Sequence, residues 1–165
     1  MFTMKQIRQN TFETNSSSSH SITISNKGHF DANALPIVEY YKGAKNCVVL
    51  TGGEFGWGYE EFDDTLTKAN YLATFVETVE FTIEKFTKRD MDRYRKMLID
   101  CIKDVTGCEE VVIDVGSPNK WGSIDGVYID HQSEETGLDA FISMNDLKHF
   151  IFNRKSLLVI DNDNH

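Results

Sequence analysis

An α/β or α+β fold, with a central mixed sheet and a helical hairpin and one further helix packed against it, is predicted by three observations. Apolar residues recur every three or four positions from Leu66 to Phe86, through Ala69, Ala73, Val76, Val79 and Ile83, which is the period of one face of a long helix. A second helical pattern follows at once. Short strand-like stretches flank this pair, so the order reads strands, two helices, strands, helix, strand.

From Ser21 to Ile24 polar and apolar residues alternate, and Asn26, Lys27 and Gly28 then form a turn, so a short strand ending in a reversal is expected. In "NCVVLTGGEFGWG" a buried strand over Cys47 to Thr51 runs into a glycine-rich loop. The second helix takes Asp90 as its N-cap, Tyr94, Leu98, Cys101 and Val105 as its inner face, and Gly107 as its stop. "EEVVIDVG" reads as a central strand, because a continuous apolar run such as Val111 to Ile113 suits burial on both faces. "GSIDGVYID" reads as another strand leading into His131. Ser143 and Asp146 resemble a capping box opening a short helix to about Phe152, and "SLLVID" supplies the last strand.

With 165 residues, 40% of them hydrophobic, a single domain over residues 1–165 can bury a proper core. The 26 acidic and 17 basic side chains give a net charge of -9, which argues against direct nucleic-acid binding and favours a basic partner. No apolar run approaches the roughly 20 residues that span a bilayer, and no signal-peptide core is seen, so a soluble, cytoplasmic protein without membrane contact is expected. Cys47, Cys101 and Cys108 are odd in number and lack CxxC spacing, which predicts free, mostly buried thiols.

Three stretches place unusual side chains where strands meet loops: "NSSSSH", "GGEFGWGYEE" and "YIDHQS". His20, Glu54 and His131 are the candidate catalytic residues, as an acid/base set, since a hydroxyl is a poor nucleophile near neutral pH without a base. The same three could also form a facial metal site, although neither a metal nor another cofactor is expected. Candidate ligand-binding groups are Asn15, Ser16, Ser17, Ser18 and Ser19, Gly53 and Trp57 of the glycine-rich loop, and Asp130, Gln132 and Ser133. Each block also has a structural reading: serine turns that start a strand, a tight turn covered by its own aromatics, and a capped turn at Asp130. The loop is not a phosphate loop, because no GKS or GKT follows. Glu134, Glu135 and Asp139 read as a solvated acidic face and are the candidate protein-binding residues.

Together "RQNTFETNSSSSHSITI", "GGEFGWGYEEFDDTLTKANYL" and "YIDHQS" resemble a group of uncharacterised proteins encoded by large tailed bacteriophages and their bacterial hosts, which begin with an FETNSSSxHS segment. At Phe62 to Thr65 this chain departs from the group by lacking a proline after the aspartate, which would start the long helix more sharply. The resemblance implies a phage–host setting and no particular reaction. The leading expectation is an accessory protein that binds a host or anti-phage defence protein with a basic surface. The alternative is a small hydrolase or nucleotide-ligand-binding protein whose pocket is built from the three blocks.

Overall fold

The computed structural model describes residues 18–56, 58–79 and 86–162. Its α+β architecture comprises three helices and three small sheets among these residues, so the single central sheet expected from the sequence is divided. The first sheet has the order β1 (Ser18–Thr23), β8 (Leu157–Asn162), β5 (Glu60–Phe62), all antiparallel. The second is mixed: β3 (Ala44–Leu50) lies between antiparallel β2 (Val38–Tyr41) and parallel β6 (Glu110–Ile113). The third is a two-residue parallel pairing of β4 (Glu54–Phe55) with β7 (Tyr128–Ile129).

Helix α1 (Thr65–Thr78) opens on Asp64, whose carboxylate accepts from the Thr67 amide at 2.9 Å. It is shorter than the predicted Leu66–Phe86 helix, and residues 80–85 lie outside the described residues. Ala69, Ala73, Val76 and Val79 are buried as their spacing requires, whereas Leu66 is 41% exposed. The helix is buried on more than one face, because Lys68, Tyr71, Leu72, Thr74 and Phe75 are also inaccessible.

Helix α2 (Lys88–Thr106) is capped by Thr87 rather than Asp90. Thr87 accepts from the Asp90 amide and Asp90 accepts from the Thr87 amide, so Asp90 is the third residue of a reciprocal capping box. Gly107 ends the helix at φ 77°, a left-handed conformation that costs glycine little. Arg95 ties α2 to the end of α1, donating to Glu77 at 2.6 Å and to the Val76 carbonyl at 3.0 Å. Helix α3 (Met144–Phe152) has Ser143 as its cap, accepting from the Asp146 amide at 3.0 Å.

Strand β6 is an edge strand, not a central one, and its residues are half-buried or exposed. Its apolar run serves one face, packed against the core through Val111 and Ile113. The stretch before His131 is mostly loop, with only Tyr128 and Ile129 in strand pairing and an isolated bridge between Ile124 and Val127. The core gathers β3, the three helices and the inward side of β8; around Phe75 the rings of Phe86, Tyr94 and Phe141 lie 5.9 to 6.2 Å away by centroid.

Candidate functional site

The described parts of the three singled-out stretches converge. Asp130 donates its amide to the Phe55 carbonyl at 2.8 Å and Tyr128 donates to the Gly53 carbonyl at 3.0 Å, which zips the glycine-rich loop to "YIDHQS". Strand β1 then lies against the turns that follow, through Ser133 and Thr136. What the convergence builds is a buried polar network centred on His20.

Period-two alternation decides where His20 goes: Ser19, Ser21 and Thr23 face solvent, while His20 and Ile22 face inward. His20 is 7% exposed and all its polar groups are engaged. The ring Nε2 lies 2.8 Å from the Gly56 carbonyl, which can only accept, so Nε2 carries the proton. Nδ1 is therefore the acceptor, and the Tyr71 hydroxyl donates to it at 2.9 Å. The His20 amide donates to Ser133 Oγ at 3.0 Å, and the Thr136 hydroxyl donates to the His20 carbonyl at 3.2 Å. Those two hydroxyls cap backbone groups that an edge strand would otherwise leave open. Burial holds the imidazole below its ordinary pKa, partly offset by its bond to Gly56 and by the nearby charge of Asp130. Tyr71, fully buried beside it, is pushed up by desolvation and stays a neutral donor.

The sign of the pH dependence follows. A histidine whose folded pKa lies below its unfolded value of about 6.5 leaves the unfolded state binding more protons over that interval, so stability falls as pH drops from about 6.5 through the folded pKa. Urea denaturation of the wild type at stepped pH values below 7 should lose stability that the His20→Gln variant, uncharged throughout, does not lose over the same steps.

The glycine-rich loop is held by its own chain. Asn70 Oδ1 on α1 accepts from the amides of Thr51 and Gly52, both at 3.0 Å, and Thr74 Oγ1 accepts from the Gly53 amide at 3.0 Å. The Gly53 backbone proposed for a ligand is thus engaged by the helix. Gly52 sits at φ 73°, where an added Cβ would lie 3.0 Å from Thr74 and Val127, and a Cβ at Gly56 would lie 2.8 Å from the Tyr128 hydroxyl. These glycines allow close packing of strand, helix and loop.

Of the predicted catalytic set, His20 and Glu54 are not brought together. Glu54 is exposed on β4, alternating with inward Phe55, whose ring meets Tyr71 edge-on at 4.8 Å, so Glu54 points away from the side that holds His20. His131 starts a 3-10 turn over His131–Ser133, and its side chain lies outside the described residues, as do Asn15, Ser16, Ser17 and Trp57. Ser18 begins β1, and Ser19 faces solvent on the opposite side from His20. Asp130 and Ser133 join the network, the latter buried, while Gln132 is exposed. The solvated acidic face needs correction: Glu134 is only 7% exposed, enclosed where the two 3-10 turns His131–Ser133 and Thr136–Ala140 pack on β1, and only Glu135 and Asp139 remain at the surface.

Tyr71, Thr136, Asn70 and Thr74 complete the site without having been singled out. For His20 a signal existed, since extending the alternation of Ser21 to Ile24 back by one pair puts it on the face of Ile22. Cys47, Cys101 and Cys108 are free and buried, as expected, and burial pushes the Cys101 thiol up to about 12. Among the described residues no group of three His, Cys, Asp or Glu side chains is placed to hold a metal ion, and no helix is long and apolar enough to cross a membrane. No protein-family model matches the chain, and comparison with curated proteins and with solved structures finds no match.

Proposed function

We propose that this chain is a binding module rather than a catalyst: a phage-type accessory protein that engages a host or anti-phage defence protein through carboxylates on its surface. The observation that carries the reading is the state of His20. A general base must offer a lone pair to its substrate, and the one lone pair of this imidazole already accepts the Tyr71 proton inside the fold. The partners that surround it, Gly56, Ser133 and Thr136, join strand, loop and turns, which is the work of a structural network. The excess of nine negative charges favours a partner with a basic surface and would speed the encounter by electrostatic steering.

The test pairs retention with identification. Immobilised protein is exposed to host lysate and eluted by a salt gradient, and the eluted proteins are identified by mass spectrometry. A basic protein released by salt is expected, because exposed charges are screened over about 8 Å at physiological ionic strength. Retention that salt does not weaken, or turnover of a nucleotide or ester by the purified protein that the Glu54→Gln variant loses, counts against the reading.

A further inference from the structure

We infer that the solvent face of the β1–β8–β5 sheet is the docking surface, and that it takes a protein surface rich in lysine and arginine. The inference rests on the binding reading above and names the surface that performs it. Pairing across the sheet sets Ser21 opposite Val159 and Val159 opposite Glu61, so one row across the three strands runs hydroxyl, aliphatic, carboxylate. Flanking rows add Ser19 and Thr23 on β1, both exposed, and half-buried Leu157 on β8. The opposite face of the same sheet is core, where Ile22, Leu158 and Phe62 form the matching row. One face is therefore spent on folding, and among the described residues no element packs on the other. Its make-up, with an aliphatic centre between hydroxyls on one side and the Glu61 carboxylate on the other, is that of an interface core with a polar rim.

Charge selects the occupant. Glu61 is exposed and, among the described residues, has no ion-pair partner; it accepts only from the Tyr59 hydroxyl, and Tyr59 is itself 59% exposed, whereas Glu60, opposite Ile160, belongs to the other face. The three strands carry no lysine or arginine. On α2, by contrast, cations are matched locally, Lys88 with Asp92 at 3.0 Å and Lys96 with Asp100 at 2.7 Å. The sheet face thus presents the Glu61 carboxylate beside the exposed Tyr59 ring and half-buried aliphatic area, which is complementary to lysine and arginine side chains with their long apolar stems. A second copy is the poorer fit, since it brings a net charge of -9 and the same carboxylate to the contact.

The experiment follows backbone amide shifts of the full chain on titration with a short peptide rich in lysine and leucine, and with its counterpart carrying glutamate for each lysine. Shifts at Ser19–Thr23, Glu60–Phe62 and Leu157–Asp161 with the cationic peptide alone are expected. Binding should weaken several-fold in Glu61→Lys and in Val159→Thr, with the amide spectrum elsewhere unchanged. A Glu135→Lys, Asp139→Lys variant should bind as the wild type does. Cationic-peptide shifts centred on another carboxylate surface, or loss of binding in that second variant, overturn the sheet assignment and leave the basic-partner reading standing. Failure of the cationic peptide to bind anywhere overturns both. Concentration-dependent dimerisation in sedimentation that Val159→Thr weakens would give the face to a second copy and overturn the choice of partner.

Discussion

Gly137→Ala is expected to destabilise the protein by about 3 kcal/mol, because it drives a methyl group into a ring that has nowhere to go. A Cβ at this position would lie 2.6 Å from Cγ of Phe75 and 2.8 Å from its Cδ1, well inside contact distance. Phe75 is fully buried and bounded by Phe86, Tyr94 and Phe141, so its ring cannot move aside without disturbing α2 and the turn that Gly137 itself belongs to. That turn, Thr136–Ala140, brings the Thr136 hydroxyl to the His20 carbonyl. Displacing it should loosen the His20 network as well. The measurements are urea denaturation, where the midpoint should fall at nearly constant slope, and a thermal melt, where a loss of this size lowers Tm by roughly 6–12 °C in a domain of this length. Phe75→Leu in the Gly137→Ala background should recover part of the loss, giving the coupling expected of residues in contact. Equal stability of wild type and Gly137→Ala would mean that the turn does not dock on α1 as described.

The same region separates what period can reveal from what it cannot. Helical spacing placed Ala69, Ala73, Val76 and Val79 in the core, since one apolar face is all that a 3.6-residue repeat encodes. It was silent on Lys68, Tyr71 and Thr74, which are buried because α1 is enclosed by other elements, and enclosure is a property of the assembled fold. The cap of α2 differs from the expected Asp90 for a related reason: Asp90 is a good cap by composition, but Thr87 three residues earlier closes both bonds of the box. The burial of Glu134 had no local signal, being set by turns that meet β1 from more than a hundred positions away. By contrast Gly107, Ser143 and the cysteines act through local chemistry and were legible at once.

Lys68 carries the second large effect, and it is read in pH. Its side chain is fully buried in α1, with Nζ donating to the carbonyls of Asn153 at 2.9 Å and Ser156 at 2.8 Å and lying 5.7 Å from the Phe150 ring centroid. Those carbonyls belong to the turn between α3 and β8, which also grips the chain after β1: Asn153 Nδ2 donates to the carbonyls of Ser25 and Lys27 at 2.9 and 2.7 Å. One ammonium thus joins α1 to the segment that positions β1 and β8. Desolvation lowers its pKa to about 8, with Asp63 and Asp64 raising it only in part and Arg154 lowering it further. Both carboxylates have other work, since Asp63 pairs with Arg154 at 3.1 Å and Asp64 caps α1. A lysine with a folded pKa below its unfolded value leaves the unfolded state holding the extra proton between the two, so stability should rise as pH climbs from about 8 towards 10.5. Relative to Lys68→Met, which keeps most of the apolar stem and cannot titrate, the wild type should gain up to about 3 kcal/mol over that interval. Comparing the two by urea denaturation at pH 7.5, 8.5 and 9.5 removes the shared contribution of the tyrosines and surface lysines. A difference that stays flat across these pH values, or narrows, would show that Lys68 is solvated and that the turn is held to α1 by other contacts.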